Sequence, residues 1–366
     1  MAESRRSSGR RPPRRPEPDR QADGVRADRR TFLKVTAAAA LIPGLASCAR
    51  EQSSPAVTEE PWTRAAFRKT NRSVVAVLAA QAYDGRLVDI VRQGIGLFDL
   101  DVSGKRVVLK PNFVEFDPRG VINTHPVLIA ATIEVFRSLG AREVIVAEGP
   151  GHRRDTEHIL TASGLLDTLR DAHARYVDLN LDAVRQTTLA SHFTALRRLW
   201  IPETVAGADL LVSMPKMKTH HWAGVTLSLK NMFGIMPGAI YGWPKNTLHY
   251  AGIEQSILDI NASLDVPRFN IVDGIVGMEG NGPIQGTARP CGVLVFGADP
   301  VAVDSTSARL MGFEPARIGY IAQAGRFLGN AEAEHIDQRG EDPDRMAQSF
   351  AVLDAMKRLR PSNISG

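Results

Sequence analysis

Arg106-Val-Val-Leu-Lys110, the run Pro126 to Leu139, and Val144-Ile-Val-Ala147 decide the fold. They read as strand, helix and strand. The two short runs are apolar and β-branched, whereas Leu128, Ile129, Ile133, Val135, Phe136 and Leu139 follow a 3.6-residue period. Pro126 suits a first helical turn and Gly140 a helix end. The alternation continues outward. Strands are expected at Val74–Leu78, Tyr176–Leu179, Asp209–Ser213, Phe269–Val272 and Val293–Phe296, and helices at Leu87–Leu97, Ile159–Ala172, Ile253–Leu264 and Pro300–Leu310. Strands that are apolar throughout imply a sheet covered on both faces. The expected class is α/β, a mostly parallel or mixed sheet with helices on both faces.

Upstream the chain has another character. Residues 1–27 are rich in Arg, Pro, Ser and Asp, and read as a disordered basic leader. Residues 28–48 carry Arg29-Arg30 before Phe32-Leu33-Lys34, an uncharged run from Val35 to Leu45, and Leu45-Ala-Ser-Cys48. That order resembles a twin-arginine export signal ending in a lipobox, with Cys48 as the acylated residue. The apolar run is shorter than the roughly 20 residues a spanning helix needs. Residues 49–63 read as a tether, and 64–366 as one large α/β domain or two packed lobes. The expected location is therefore exported, on the periplasmic or outer side, held to a membrane through a lipid anchor.

Charge supports this division. The whole chain carries +5, but residues 1–50 hold 12 Lys and Arg against 5 Asp and Glu, while the remaining 316 hold 33 against 35. The basic balance belongs to the leader, so nucleic acid is not an implied partner. Only Cys48 and Cys291 are present, too few for an iron–sulfur cluster.

Polar motifs follow directly on expected strands: Lys110-Pro111-Asn112, Glu148-Gly-Pro-Gly-His152, Pro215-Lys-Met-Lys-Thr-His-His221, and Asp273 with the glycine-rich loop Gly274–Gly286. Ligands in open α/β sheets bind outside the carboxyl ends of the strands. The lysine-rich loop among Met214, Met217, Trp222 and Phe233 suits a phosphate or carboxylate. The expected substrate-binding residues are Lys110, Asn112, Lys216, Lys218, Thr219, Lys230 and Asn231, with Arg119 across the cleft. His220 is the expected general acid/base, since an imidazole titrates near about 6.5, and Asp273 or Asp304 would orient it. A divalent metal on His220, Asp273 and Glu279 is the alternative use of the same groups. Asp299 reads as the N-cap of the last helix.

These motifs, with Ser228-Leu-Lys-Asn-Met-Phe-Gly234, Gly282-Pro-Ile-Gln-Gly286 and Asp299-Pro-Val-Ala-Val-Asp304, resemble the family called domain of unknown function 362 over roughly Val74 to Gly312. The resemblance implies no established reaction. Some members carry a ferredoxin-type cysteine cluster, which this chain lacks. The functional expectation is an envelope-located enzyme acting on a small anionic substrate; the alternatives are a lipid-tethered binding protein for an anionic ligand, and a scaffold component of an envelope complex.

Overall fold

The computed structural model describes residues 64–151 and 155–362. Arg29, Arg30, Cys48, the tether and His152 lie outside the described residues. The segment Pro61–Gly366 clusters as one unit.

Its main sheet is built from β1 (Ser73–Ala79), β2 (Arg106–Pro111), β3 (Glu143–Glu148), β4 (Arg175–Asp178), β7 (Leu210–Met214), β10 (Arg268–Asn281), β11 (Gln285–Gly297) and β12 (Ile336–Gly340), in the order β12-β1-β11-β10-β7-β2-β3-β4. β8 (Lys216–His220) and β9 (Gly224–Thr226) branch from β10. β5 (Val184–Thr188) and β6 (Arg198–Pro202) form a separate antiparallel pair. The half from β10 through β7, β2 and β3 to β4 is parallel, while β11 runs antiparallel to both β1 and β10. The sheet is therefore mixed.

Alternate residues of one strand enter two different cores, because successive side chains point to opposite faces. On β1, Val75 and Val77 join one cluster, whereas Ala76 and Leu78 join the other. The first cluster is covered by the helices Ile253–Ser263, Pro300–Leu310 and Gly319–Ala324; the second by Leu87–Gly96, Pro126–Ser138 and Leu165–Asp171. Helices thus lie on both faces, as the apolar strands imply.

Three expectations change. Ile159–Ala172 is two helices, Thr156–Ala162 and Leu165–Asp171, broken at Gly164. The glycine-rich Gly274–Gly286 is not a loop: it forms the far end of β10 and the turn into β11, a hairpin paired from Asn270↔Gly297 to Asn281↔Gln285. Pro215–His221 is not a loop either, since Lys216–His220 is a strand paired with β9 and bridged to β10. The two changes are linked. A Cβ on Gly277 would lie 2.8 Å from the Met217 carbonyl oxygen. The missing side chain on the hairpin lets β8 close against it.

Candidate functional site

The carboxyl ends of β2, β3 and β8 open onto a cavity of about 1390 Å³. Its wall includes Asn112, the loop Phe113–Gly120, Glu148, Lys218, His220, Lys230, Asn231, Lys245 and His249, and its rim includes the turn Pro283–Gly286.

One buried ion pair sets the geometry of the floor. Lys110 Nζ lies 2.5 Å from Glu148 Oε2 and also donates to Asn231 Oδ1 at 2.9 Å and to the Pro111 carbonyl at 2.9 Å. Glu148 accepts from the amides of Phe113 and Gly149, so its charge is satisfied twice over. Asn231 ties this group to the sheet by donating to the Lys110 carbonyl and to Ser213 Oγ. Gly234 passes directly above: a Cβ there would lie 2.6 Å from Lys110 Nζ and 2.7 Å from Glu148 Oε1. Only glycine fits against the pair.

Three further lysines reach the cavity without a carboxylate partner among the described residues. Lys218, fully buried, donates to the Ile122 carbonyl at 2.8 Å. Burial, then the charges of Lys230 and Lys216, holds its ammonium well below the ordinary lysine range. Lys230 sits 4.3 Å from the Phe233 ring centroid, and burial pushes it down to about 8. Lys245 donates to Asn180 Oδ1 at 2.6 Å, and burial pushes it down to about 7. Asn112 Oδ1 and Thr226 Oγ1, both in the wall, are buried with no hydrogen-bond partner. Ammonium groups and unpaired polar atoms in one concavity are suited to an anionic, hydrogen-bonding ligand.

The imidazoles are fixed in opposite senses. His220 Nδ1 accepts from the amides of Trp222 and Ala223 at 3.1 and 3.2 Å, so its proton sits on Nε2. Burial and the Lys230 charge depress its pKa well below 6.5. His220 is thus a neutral imidazole with Nε2–H as a donor, so of the expected general acid/base role this geometry presents the donor side. His249 is the reverse: Nδ1 lies 3.0 Å from the Lys245 carbonyl, which can only accept, so Nε2 keeps its lone pair. Burial lowers the pKa of His249 as well.

Of the expected substrate-binding residues, Asn112, Lys218, Lys230 and Asn231 line the cavity, and Arg119 reaches it from the exposed loop. Lys110 lies behind the wall in its ion pair, and Thr219 Oγ donates to the Gly280 carbonyl. Lys216 belongs to a separate buried network. It lies 2.7 Å from Asp273 Oδ2 and 2.9 Å from Tyr83 Oη, and Tyr83 donates to Asp273 Oδ1. His125 donates its amide to Asp273 Oδ2 and stacks on Tyr83 at 3.8 Å. Asp273 therefore does not orient His220.

Neither does Asp304. Its oxygens accept from the amides of Ser228 and Leu229 at 2.7 and 2.9 Å. It is a buried anchor for the segment bearing Lys230, with its pKa raised to about 7 by burial against the pull of those amides. Glu279 accepts from the Ala351 amide and stays apart from both His220 and Asp273 in hydrogen bonding. Among the described residues no three His, Cys, Asp or Glu side chains converge as a metal site, so the expected His220, Asp273 and Glu279 set is not assembled. Asp299 does cap the last long helix, through the amides of Val301 and Ala302.

Lys245 escaped the sequence reading. It stands alone in Trp243-Pro-Lys-Asn-Thr-Leu-His249, away from any expected strand end. Its one local signal, a left-handed backbone at φ 67°, is visible only in three dimensions.

Over 273 residues the chain is 26% identical to a thylakoid-associated protein of Synechocystis sp., covering 72% of this chain and 82% of that protein. Among solved structures, a protein from Thermotoga maritima aligns with a TM-score of 0.38 at 11% identity, covering 63% of this chain and 59% of the other. The lactate racemase apoprotein from Thermoanaerobacterium thermosaccharolyticum aligns with a TM-score of 0.39 at 17% identity, covering 60% and 55%. The chain therefore spans less than two thirds of either structure's length. Residues 107–309, which run from the second residue of β2 through β11 and hold most of the cavity wall, match one family along their whole length. The chain belongs to the family described as Domain of unknown function (DUF362).

Proposed function

We propose that the protein is an exported, envelope-located enzyme that acts on a small molecule bearing a phosphate or carboxylate, bound in the cavity between Lys218, Lys230 and Lys245. One observation carries the reading: the buried Lys218 and Lys245 and the half-buried Lys230 line a single concavity, and among the described residues none of them forms an ion pair with a carboxylate, since Glu148 in the same wall is already held by Lys110. Buried charges are ordinarily paired, and a bound anion supplies the missing partner. A donor imidazole on His220 and an acceptor imidazole on His249 in the same wall favour proton transfer over capture alone.

Location rests on residues 28–48, with Arg29 and Arg30 as the address read by the twin-arginine export machinery and Cys48 as the site of lipid attachment. Among the described residues no helix is long and apolar enough to cross a membrane.

Native mass spectrometry of the exported protein, compared with its denatured mass, tests the ligand class. The reading expects an excess mass from an organic anion that is lost in Lys218→Met. An excess matching a metal ion and unchanged by that substitution would overturn it.

A further inference from the structure

Lys245 has a combination of features that anion binding does not require. It lines the cavity yet is only 2% exposed. Its backbone holds φ 67° and ψ 44°, a left-handed conformation that a β-carbon disfavours and that clusters where function requires it. Its ammonium has one side-chain partner, the neutral amide oxygen Asn180 Oδ1, which also accepts from the Gly238 amide. The position is over-determined: Asn180 is itself fixed by donating to the Pro150 carbonyl, and the Lys245 carbonyl receives the amides of Leu248 and His249. A lysine serving only as a counter-charge gains nothing from burial beside a neutral acceptor. A lysine serving as an amine does, because burial releases its proton.

We propose that Lys245 forms an imine with a small aldehyde or ketone that carries a carboxylate or phosphate, a step that rests on the cavity being an anion site. The Nζ lone pair attacks the carbonyl carbon, the C–N bond forms, and the carbonyl π electrons move to oxygen. A proton passes from nitrogen to that oxygen to give the carbinolamine. The hydroxyl then takes up a proton from solvent, the C–O bond breaks with its electron pair leaving on water, and the nitrogen lone pair closes the C=N bond of the iminium, with no oxidant or reductant consumed. Lys218 and Lys230 hold the acid group, and the Nε2 lone pair of His249 accepts the proton shed by the amine. A nucleophilic lysine works as the neutral amine, and the value of about 7 leaves a large fraction of Lys245 in that form near neutrality.

The test is reductive trapping on the full exported protein with glyoxylate, an anionic aldehyde, and sodium cyanoborohydride, followed by peptide mass mapping. One saturable adduct on Lys245 is expected, at least tenfold faster than on any other lysine and slowed by inorganic pyrophosphate. Lys245→Arg should lose it. Should that variant fail to fold, Lys245→Gly relieves the positive φ and should lose it as well. Labelling spread evenly over surface lysines, or an adduct on Lys230 that persists in both variants, would overturn the imine. Trapping at Lys245 that pyrophosphate does not slow would instead overturn the anion reading and leave the amine chemistry standing.

Discussion

Lysines 230 and 245 give up their protons at about 8 and about 7, against an ordinary 10.5. The sign of the consequence is fixed. Between those values and 10.5 the unfolded chain holds more protons than the folded one, so these two lysines make stability rise with pH across that window. An anion bound beside them favours the charged forms and draws protons in. Ligand binding at pH 8 is therefore expected to take up protons, close to none at pH 6, and affinity is expected to fall as pH climbs from about 7 towards 10. Calorimetric titration in two buffers of different ionisation enthalpy measures the uptake directly. Equal heats in both buffers at pH 8 would take Lys230 and Lys245 out of contact with the ligand.

At the scale of the element, the segment Ser228–Asn231 hangs on Asp304. Two amides point at one buried carboxylate, and each would lose its partner in Asp304→Ala. Leaving buried donors unpaired costs about 1–3 kcal/mol each. The substitution should therefore destabilise the fold by about 2–6 kcal/mol in urea denaturation, while a change below about 1 kcal/mol would contradict the anchoring role. Asp304 also shows where sequence reading stops. The run Asp299–Asp304 reveals a capped helix, and Asp299 does cap it, but nothing in the run says that Asp304 turns inward to backbone amides remote in sequence. Strands and helices were legible at β1, β2, β3, β7 and the helix Pro126–Ser138 because apolar periodicity is local. The bases of β10 and β11, Phe269–Val272 and Val293–Phe296, were legible as well, but their extension into the hairpin Gly274–Gly286 was not. Its glycines have a low strand propensity, and the close approach of β8 that selects them is a tertiary fact. The same limit explains Lys216 and Lys218, which stand two positions apart on β8 yet serve a buried Tyr83–Asp273 network and the cavity respectively.

For the molecule as a whole, the net positive charge lies at one end, in residues 1–50, together with the proposed export signal. Mass analysis of protein recovered from the membrane fraction should find a mature chain beginning at an acylated Cys48; an unmodified chain beginning beyond it would contradict the lipid anchor. The central claim, however, concerns the cavity. A calorimetric titration of inorganic pyrophosphate and of succinate into the purified protein, and into Lys218→Met and Lys230→Met, tests it most directly. The account predicts saturable one-site binding of at least one of these anions, weakened tenfold or more in each variant, a loss of about 1.4 kcal/mol or greater. Binding of neither anion, or affinities unchanged by both substitutions, would contradict it.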